Sequence, residues 1–481
     1  MEKLIGRTRE CDELRRVVES ARSEFVVIYG RRRVGKTFLV RSFFSGNYDF
    51  HYVGAHNMKT RQQLQNFRKE LIRYSGNTSL PELESWMDAF EHLESYLEGL
   101  DSSRRKVIFM DEMPWIDAKH SDFIMALEYF WNSWVSNRDD IVFIACGSAT
   151  SWMADKLIEN QGGLHNRITR QIYLRPFTLH ECQEYLQAKG IDWDMRQVMQ
   201  CYMILGGVPF YWSLLEPQLS LPQNIDRLCF RRDGILANEF DELYNALFSN
   251  AGRYISIVRA LADKHSGMTR DELSHSTSIS GGNLSKILRN LERCDFISSY
   301  SQFGNKSKLL IYRLSDFYTI FYLKFMNDAR TYDEDFWSHH FMDSSVAVWQ
   351  GYSFELVCMA HLQQIKKALG ISGISTKVSS WRYVPRESAN NDLPSKGAQI
   401  DMLISRADKI IHLCEIKFSQ GAFAISAEYR RHLDERMEIF RQVTGVRHGL
   451  VHTFITPEGL AKNMHSSNVH SEVTARDLFT E

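Results

Sequence analysis

Apolar residues along the chain follow two patterns. Three short stretches are apolar without interruption: Phe25-Val-Val-Ile28, Val107-Ile-Phe-Met110 and Ile141-Val-Phe-Ile-Ala-Cys146. Such runs suit strands buried on both faces, as in a parallel sheet covered by helices. Elsewhere the apolar positions return with the helical period, as in Phe38-Leu-Val40 followed by Phe43-Phe44. The pattern predicts an α/β parallel-sheet domain over residues 1–177, with a further short strand at Ile172-Tyr-Leu174. From Thr178 to about Tyr244, Glu181, Glu184 and Asp192 alternate with Tyr185, Leu186 and Ile191, which predicts a helical lid over 178–245. Gly206-Gly-Val-Pro209 breaks that run and turns the chain.

The next segment, 246–316, reads as a winged helix-turn-helix. Ile255, Ile257, Val258 and Leu261 mark a first helix, and Thr269 caps a second. Ser278 to Leu291 is a turn and a third helix, and the tail around Gly304-Asn305 is a β-hairpin wing. An aromatic helical connector, 317–345, follows. A second α/β unit is predicted over 346–481. It opens with a helix from Val346 to Leu369 that sets Trp349, Tyr352, Leu356, Met359 and Leu362 on one face. Glu355 falls among them. A carboxylate on an apolar face is costly unless it has a partner. Gln399–Ile404 and Ile410–Phe418 read as paired strands. On the second, Glu415 and Lys417 share one face while Cys414, Ile416 and Phe418 share the other.

The strand before Gly30 gives the first unit its chemistry. Gly30-Arg31-Arg32-Arg33-Val34-Gly35-Lys36-Thr37 matches the phosphate-binding loop without a gap. Its backbone N–H groups close around phosphate, Lys36 meets the β/γ oxygens, and the Thr37 hydroxyl can ligate Mg²⁺. ATP and Mg²⁺ are the expected cofactors. The acids Asp111 and Glu112 end the second apolar run, where ligands collect in open α/β sheets. Asp111 suits the Mg²⁺ shell and Glu112 suits the general base. Ser148, after the third run, is either a phosphate sensor or a helix N-cap. Arg167 is either an arginine finger or a partner in a surface ion pair.

With 481 residues and a net charge of −1, the whole chain gives no sign of a nucleic-acid or membrane partner. Residues 252–314 depart from this: ten Lys/Arg against five Asp/Glu leave a local excess of five positive charges. Asn283, Lys286 and Arg289 on the third helix, with Lys306 and Lys308 in the wing, are the candidate DNA contacts. Use of the same module for packing alone is the alternative. The eight cysteines form no C-x-x-C pair, no apolar run is long enough for a bilayer, and the N-terminus is no signal peptide. A cytoplasmic protein is expected, and a homo-oligomer is compatible with the arginine finger.

Taken in order, IGRTREC, YGRRRVGKT, FMDE, ACGS, the NR-x-x-R segment, LRPFTLHE and LGGVPFY resemble the archaeal-type P-loop ATPases of the AAA+/STAND class. At the finger this chain reads Leu164-His-Asn-Arg167, where the family often has Gly-Arg. The resemblance covers essentially the whole chain. It implies a lid packed over the nucleotide, a winged helix, and a C-terminal PD-(D/E)xK nuclease-like domain of restriction-endonuclease type. Asp401 on one strand and Glu415-x-Lys417 on the next carry the nuclease pattern, with Glu355 on the preceding helix. In that pattern Asp401 and Glu415 hold Mg²⁺ or Mn²⁺, and Lys417 acts on phosphate charge. Two readings follow: an ATP-hydrolysing, DNA-acting protein with a metal-dependent nuclease, or a STAND-like nucleotide switch with a degenerate nuclease-like domain.

Overall fold

The computed structural model describes residues 4–101, 103–159, 162–304, 310–327, 333–385, 394–467 and 469–481. They form two compact units, Met1–Pro176 and Phe177–Glu481.

The first unit is built on five strands: β1 (Glu24–Tyr29), β2 (Phe50–Val53), β3 (Lys106–Asp111), β4 (Ile141–Gly147) and β5 (Arg170–Tyr173). Their order is β2-β3-β4-β1-β5 and every pairing is parallel. The uninterrupted apolar runs are accounted for by burial on both faces. Phe25, Val27, Phe143 and Ala145 join one core while Val26, Ile28, Val142 and Ile144 join the other. Neighbouring residues along these runs therefore feed two cores, so the runs are apolar without alternation. The sheet brings the C-terminal ends of β1, β3 and β4 side by side, and the loop after β1 runs into the Lys36–Phe43 helix.

In the second unit, the segments expected as lid, helix-turn-helix, connector and C-terminal domain share one core. A single cluster of buried residues runs from Phe177 through Tyr202, Leu288 and Phe321 to Phe479. A polar contact also joins distant parts of this unit: the Leu179 amide donates to His361 Nε2 at 2.9 Å. The helices Ala251–Ala262, Arg270–Thr277 and Gly281–Arg293 pack with three antiparallel strands, β6 (Met268–Thr269), β7 (Ile297–Ser301) and β8 (Leu310–Leu314), in the order β6-β8-β7. Thr269 caps the second helix as expected, its Oγ1 accepting the Glu272 amide.

The C-terminal sheet contains β9 (Thr376–Tyr383), β10 (Ala398–Arg406), β11 (Ile410–Ile416), β12 (Gly449–Ile455) and β13 (Ser471–Val473), in the order β13-β12-β11-β10-β9. β10 is antiparallel to both β9 and β11, whereas β11, β12 and β13 run parallel to one another. One face carries Met402, Ile404 and Cys414 into the large core. The other carries Leu403, Ile411 and Leu413 against Phe440 of the Ala427–Thr444 helix.

Two expectations change here. The helix over 346–369 is divided at His361 into Ser344–Ala360 and Leu362–Ala368. The buried His361 ring turns Nδ1 to the Val357 carbonyl and Nε2 to the Leu179 amide, so the break is held from both sides. Tyr352 is 41% exposed and does not share the buried face of Trp349 and Leu356.

Candidate functional site

The nucleotide site is assembled from three strand ends of the first unit. Gly30 (φ 149°) lies so close to Leu174 that a Cβ would collide with its carbonyl, and Gly35 (φ 91°) begins the Lys36–Phe43 helix. Both positions need glycine for steric reasons. Lys36 is buried, its Nζ donating to the carbonyls of Gly30 (3.0 Å) and Arg31 (2.8 Å), which holds the cation inside the loop. Thr37 Oγ1 donates to Asp111 Oδ2 at 2.8 Å, and Asp111 Oδ1 accepts the Glu112 amide at 2.9 Å. The hydroxyl and the carboxylate that would flank an ion thus already touch.

Glu112 has a left-handed backbone (φ 48°, ψ 46°), costly for a residue of this size. Its Oε2 accepts the Ser148 Oγ at 2.8 Å and the Ser148 amide at 3.3 Å. Of the two readings of Ser148, the structure puts the N-cap on Ala149, while Ser148 orients Glu112. Arg31, Arg32, Arg33 and Val34 form the loop between the glycines, with Arg33 at φ 70°. Arg167 is exposed on the turn before β5, and it is Arg170 that approaches Glu13, at 3.9 Å.

Arg7 escaped the reading of individual residues. It is buried, donating Nη1 to the Arg175 carbonyl (2.7 Å) and Nη2 to the Val34 carbonyl (3.1 Å), so it braces the phosphate loop from outside. The signal was present in IGRTREC, far from the loop in sequence but part of the ordered motif set.

The C-terminal candidates gather at one place in the second unit. Glu355, Asp401 and Lys417, from a helix, β10 and the residue just past β11, line a cavity of about 530 Å³. A bulge between Ile400 and Leu403 breaks the alternation of β10, sending Ile400 and Met402 to opposite cores. Asp401 sits at that bulge, exposed, accepting Gln399 Nε2 at 2.7 Å.

Glu355 is paired with Arg313 of β8, Oε2 to Nη2 at 3.0 Å, with both side chains 16% exposed. Burial raises its pKa to about 6; Arg313 acts in the opposite direction and Asp401 adds to the rise. Glu415 lies beyond the cavity lining. Its Oε1 accepts Lys417 Nζ at 3.0 Å and the Tyr429 hydroxyl, and its Oε2 accepts Arg436 Nη2 at 2.6 Å. Burial alone would raise this carboxyl, but Arg436 and Lys417 outweigh it and hold it below the ordinary value.

A metal ion held by Asp401 and Glu415 would have to compete with the chain's own cations for Glu415. Both Glu415 oxygens already face cations of the chain, and among the described residues no three His, Cys, Asp or Glu converge to hold an ion.

On the Gly281–Arg293 helix, Asn283, Lys286 and Arg289 are exposed and spaced by three, so they share a face. Asn290 turns inward to the Tyr254 hydroxyl at 2.8 Å. Lys306 and Lys308 lie outside the described residues. Among those described, no helix is long and apolar enough to cross a membrane.

These loops and strand ends define a P-loop nucleotide hydrolase, and comparison with known proteins agrees. Residues 4–215 match a family described as an ATPase domain predominantly from Archaea. An uncharacterised protein of Methanocaldococcus jannaschii is 23% identical over 418 residues, covering 86% of this chain and 87% of that one. Among solved structures, a Walker-type ATPase of Pyrococcus abyssi superposes with a TM-score of 0.51 at 18% identity, over 67% of this chain and 97% of that one. The ORC2 protein of Aeropyrum pernix, in ADPNP and ADP complexes, reaches a TM-score of 0.42 at 15% identity, over 67% of this chain and 95% of that one.

Proposed function

We propose that this chain couples ATP hydrolysis to action on DNA, through a winged helix at 246–316 and a PD-(D/E)xK nuclease-like region at 346–481. In the ATPase, the 2.8 Å hydroxyl–carboxylate pair of Thr37 and Asp111 fits Mg²⁺, which when bound neutralises the β/γ-phosphate oxygens. Lys36 moves from the loop carbonyls to the phosphate, and Glu112, aimed by Ser148, takes the proton of the attacking water. Arg167, exposed before β5, acts in trans as the finger of a second copy. The Asn283/Lys286/Arg289 face engages DNA, with phosphate contacts supplying affinity.

The observation that carries the DNA-acting reading is the convergence of Glu355, Asp401 and Lys417 on one cavity, although 62 residues (417 minus 355) separate the first from the last. A separate observation favours the second reading, a STAND-like nucleotide switch with a degenerate nuclease-like region. Glu415 is held by Lys417, Tyr429 and Arg436 as an internal ion cluster.

The test is a cleavage assay on plasmid and single-stranded circular DNA, with and without ATP, in Mg²⁺ and in Mn²⁺. Cutting that Asp401→Asn abolishes while ATP hydrolysis persists supports the nuclease. Intact DNA in every condition, with slow hydrolysis and nucleotide-locked assembly, supports the switch.

A further inference from the structure

Two adjoining cavities, of about 510 and 530 Å³, lie between the helix-turn-helix segment and the C-terminal sheet, and both are lined by Tyr300, Arg313 and Asp401. Their walls are fixed to each other. The Phe303 amide donates to the Ser380 carbonyl at 2.8 Å, Phe303 packs on Phe440 with centroids 5.0 Å apart, and Arg313 is paired with Glu355. Pockets of this size hold one drug-sized molecule, the scale of a single nucleotide and not of a base-paired segment.

The lining of the second cavity adds chemistry to that size. His265 and Tyr352 lie ring on ring, centroids 4.7 Å apart and planes 13° from parallel, and both side chains are exposed. A parallel, exposed aromatic pair is a surface on which a base stacks, whatever its identity. Beside the acids they pair with, Arg313 and Lys417 supply donors for phosphate. Arg313 has five N–H groups, and its bond to Glu355 uses Nη2.

We propose that this cavity binds one unpaired nucleotide of a DNA strand. Its base stacks on the His265–Tyr352 pair, and its phosphate lies between Arg313 and Lys417, beside Asp401. The proposal rests on the DNA-acting reading and names the form of DNA the C-terminal site accepts: a single strand or a frayed end. Duplex contacts belong to the Asn283/Lys286/Arg289 face, and unpaired ones to the cavity.

The test is fluorescence anisotropy of the full chain in EDTA, with a labelled single strand of mixed sequence and, separately, a blunt hairpin duplex. His265→Ala with Tyr352→Ala lowers the ratio of single-strand to hairpin affinity at least about fivefold, since one base stack is lost. Tyr352→Phe, with His265 retained, restores the ratio because the ring remains. A double variant with the wild-type ratio overturns the proposal, as does a wild-type chain that binds no single strand. Adding Mn²⁺ separates the two ideas. A strand held in a Tyr352-dependent way but left uncut upholds the nucleotide site and removes the nuclease.

Discussion

In the first unit, Asp111 and Glu112 accept from neutral groups: the hydroxyls of Thr37 and Ser148 and the backbone N–H groups of Glu112 and Ser148. In the second, Glu355 and Glu415 are met by Arg313, Lys417 and Arg436. Both sites bury carboxylates, but they settle the cost of burial differently. Hydroxyls and amides orient a carboxylate without cancelling its charge, which leaves Asp111 and Glu112 able to act on an arriving ion and water. Guanidinium and ammonium groups offset the charges of Glu355 and Glu415 within the chain. The first arrangement suits turnover with an external metal nucleotide. The second suits binding, or a reaction that must first displace an internal cation.

The contrast is open to attack from either side. The largest effect is expected at the orienting pair. Glu112→Gln keeps ATP binding but lowers hydrolysis by about 10²–10⁴-fold, because an amide cannot accept the proton. Turnover at the wild-type rate would take the base away from Glu112.

Next is the internal ion cluster. Arg436→Met removes the largest charge opposing Glu415 and should cost about 3 kcal/mol of stability, read by urea unfolding. The depressed Glu415 pKa means that this contribution is present above its ordinary value of 4.5 and fades as pH falls. The deficit of the variant should therefore shrink in acid. A variant as stable as wild type at neutral pH would show that Glu415 is not charge-balanced as described.

A smaller effect belongs to Glu355. Its pKa is raised from 4.5 to about 6, so the folded state binds the proton more tightly than the unfolded state does. Stability is thus favoured by this group at low pH and falls as pH rises through that window, by about 2 kcal/mol in all, after which it is flat. Glu355→Gln should remove this slope from a series of unfolding midpoints, and persistence of the slope would assign it to another group.

The smallest effect concerns the exposed helix face. Lys286→Ala and Arg289→Ala should each flatten the salt dependence of duplex binding by about one in log–log slope. Unchanged slopes would leave the helix as a packing element.

The sequence determined the nucleotide site almost completely because its parts are local. A strand, a glycine-framed loop and a helix follow one another within Glu24–Phe43, and two acids end a single apolar strand. Short-range sterics and hydrogen bonding decide such pieces, so spacing alone is informative. The second apolar strand and the alternation on β11 were legible for the same reason.

Tertiary structure decided the rest. It set Arg7 behind Val34, Arg313 on Glu355, and Tyr429 and Arg436 on Glu415. It moved Asp401 with a bulge, split a helix at His361, and brought Tyr352 out against His265. Each of these depends on which distant side chain arrives to compensate a buried charge or fill a gap. A one-dimensional pattern records that a carboxylate lies on an apolar face; it does not record which cation will meet it. Only packing of the second unit into one core selects those partners, since the cost of an unpaired buried charge is settled by proximity in space.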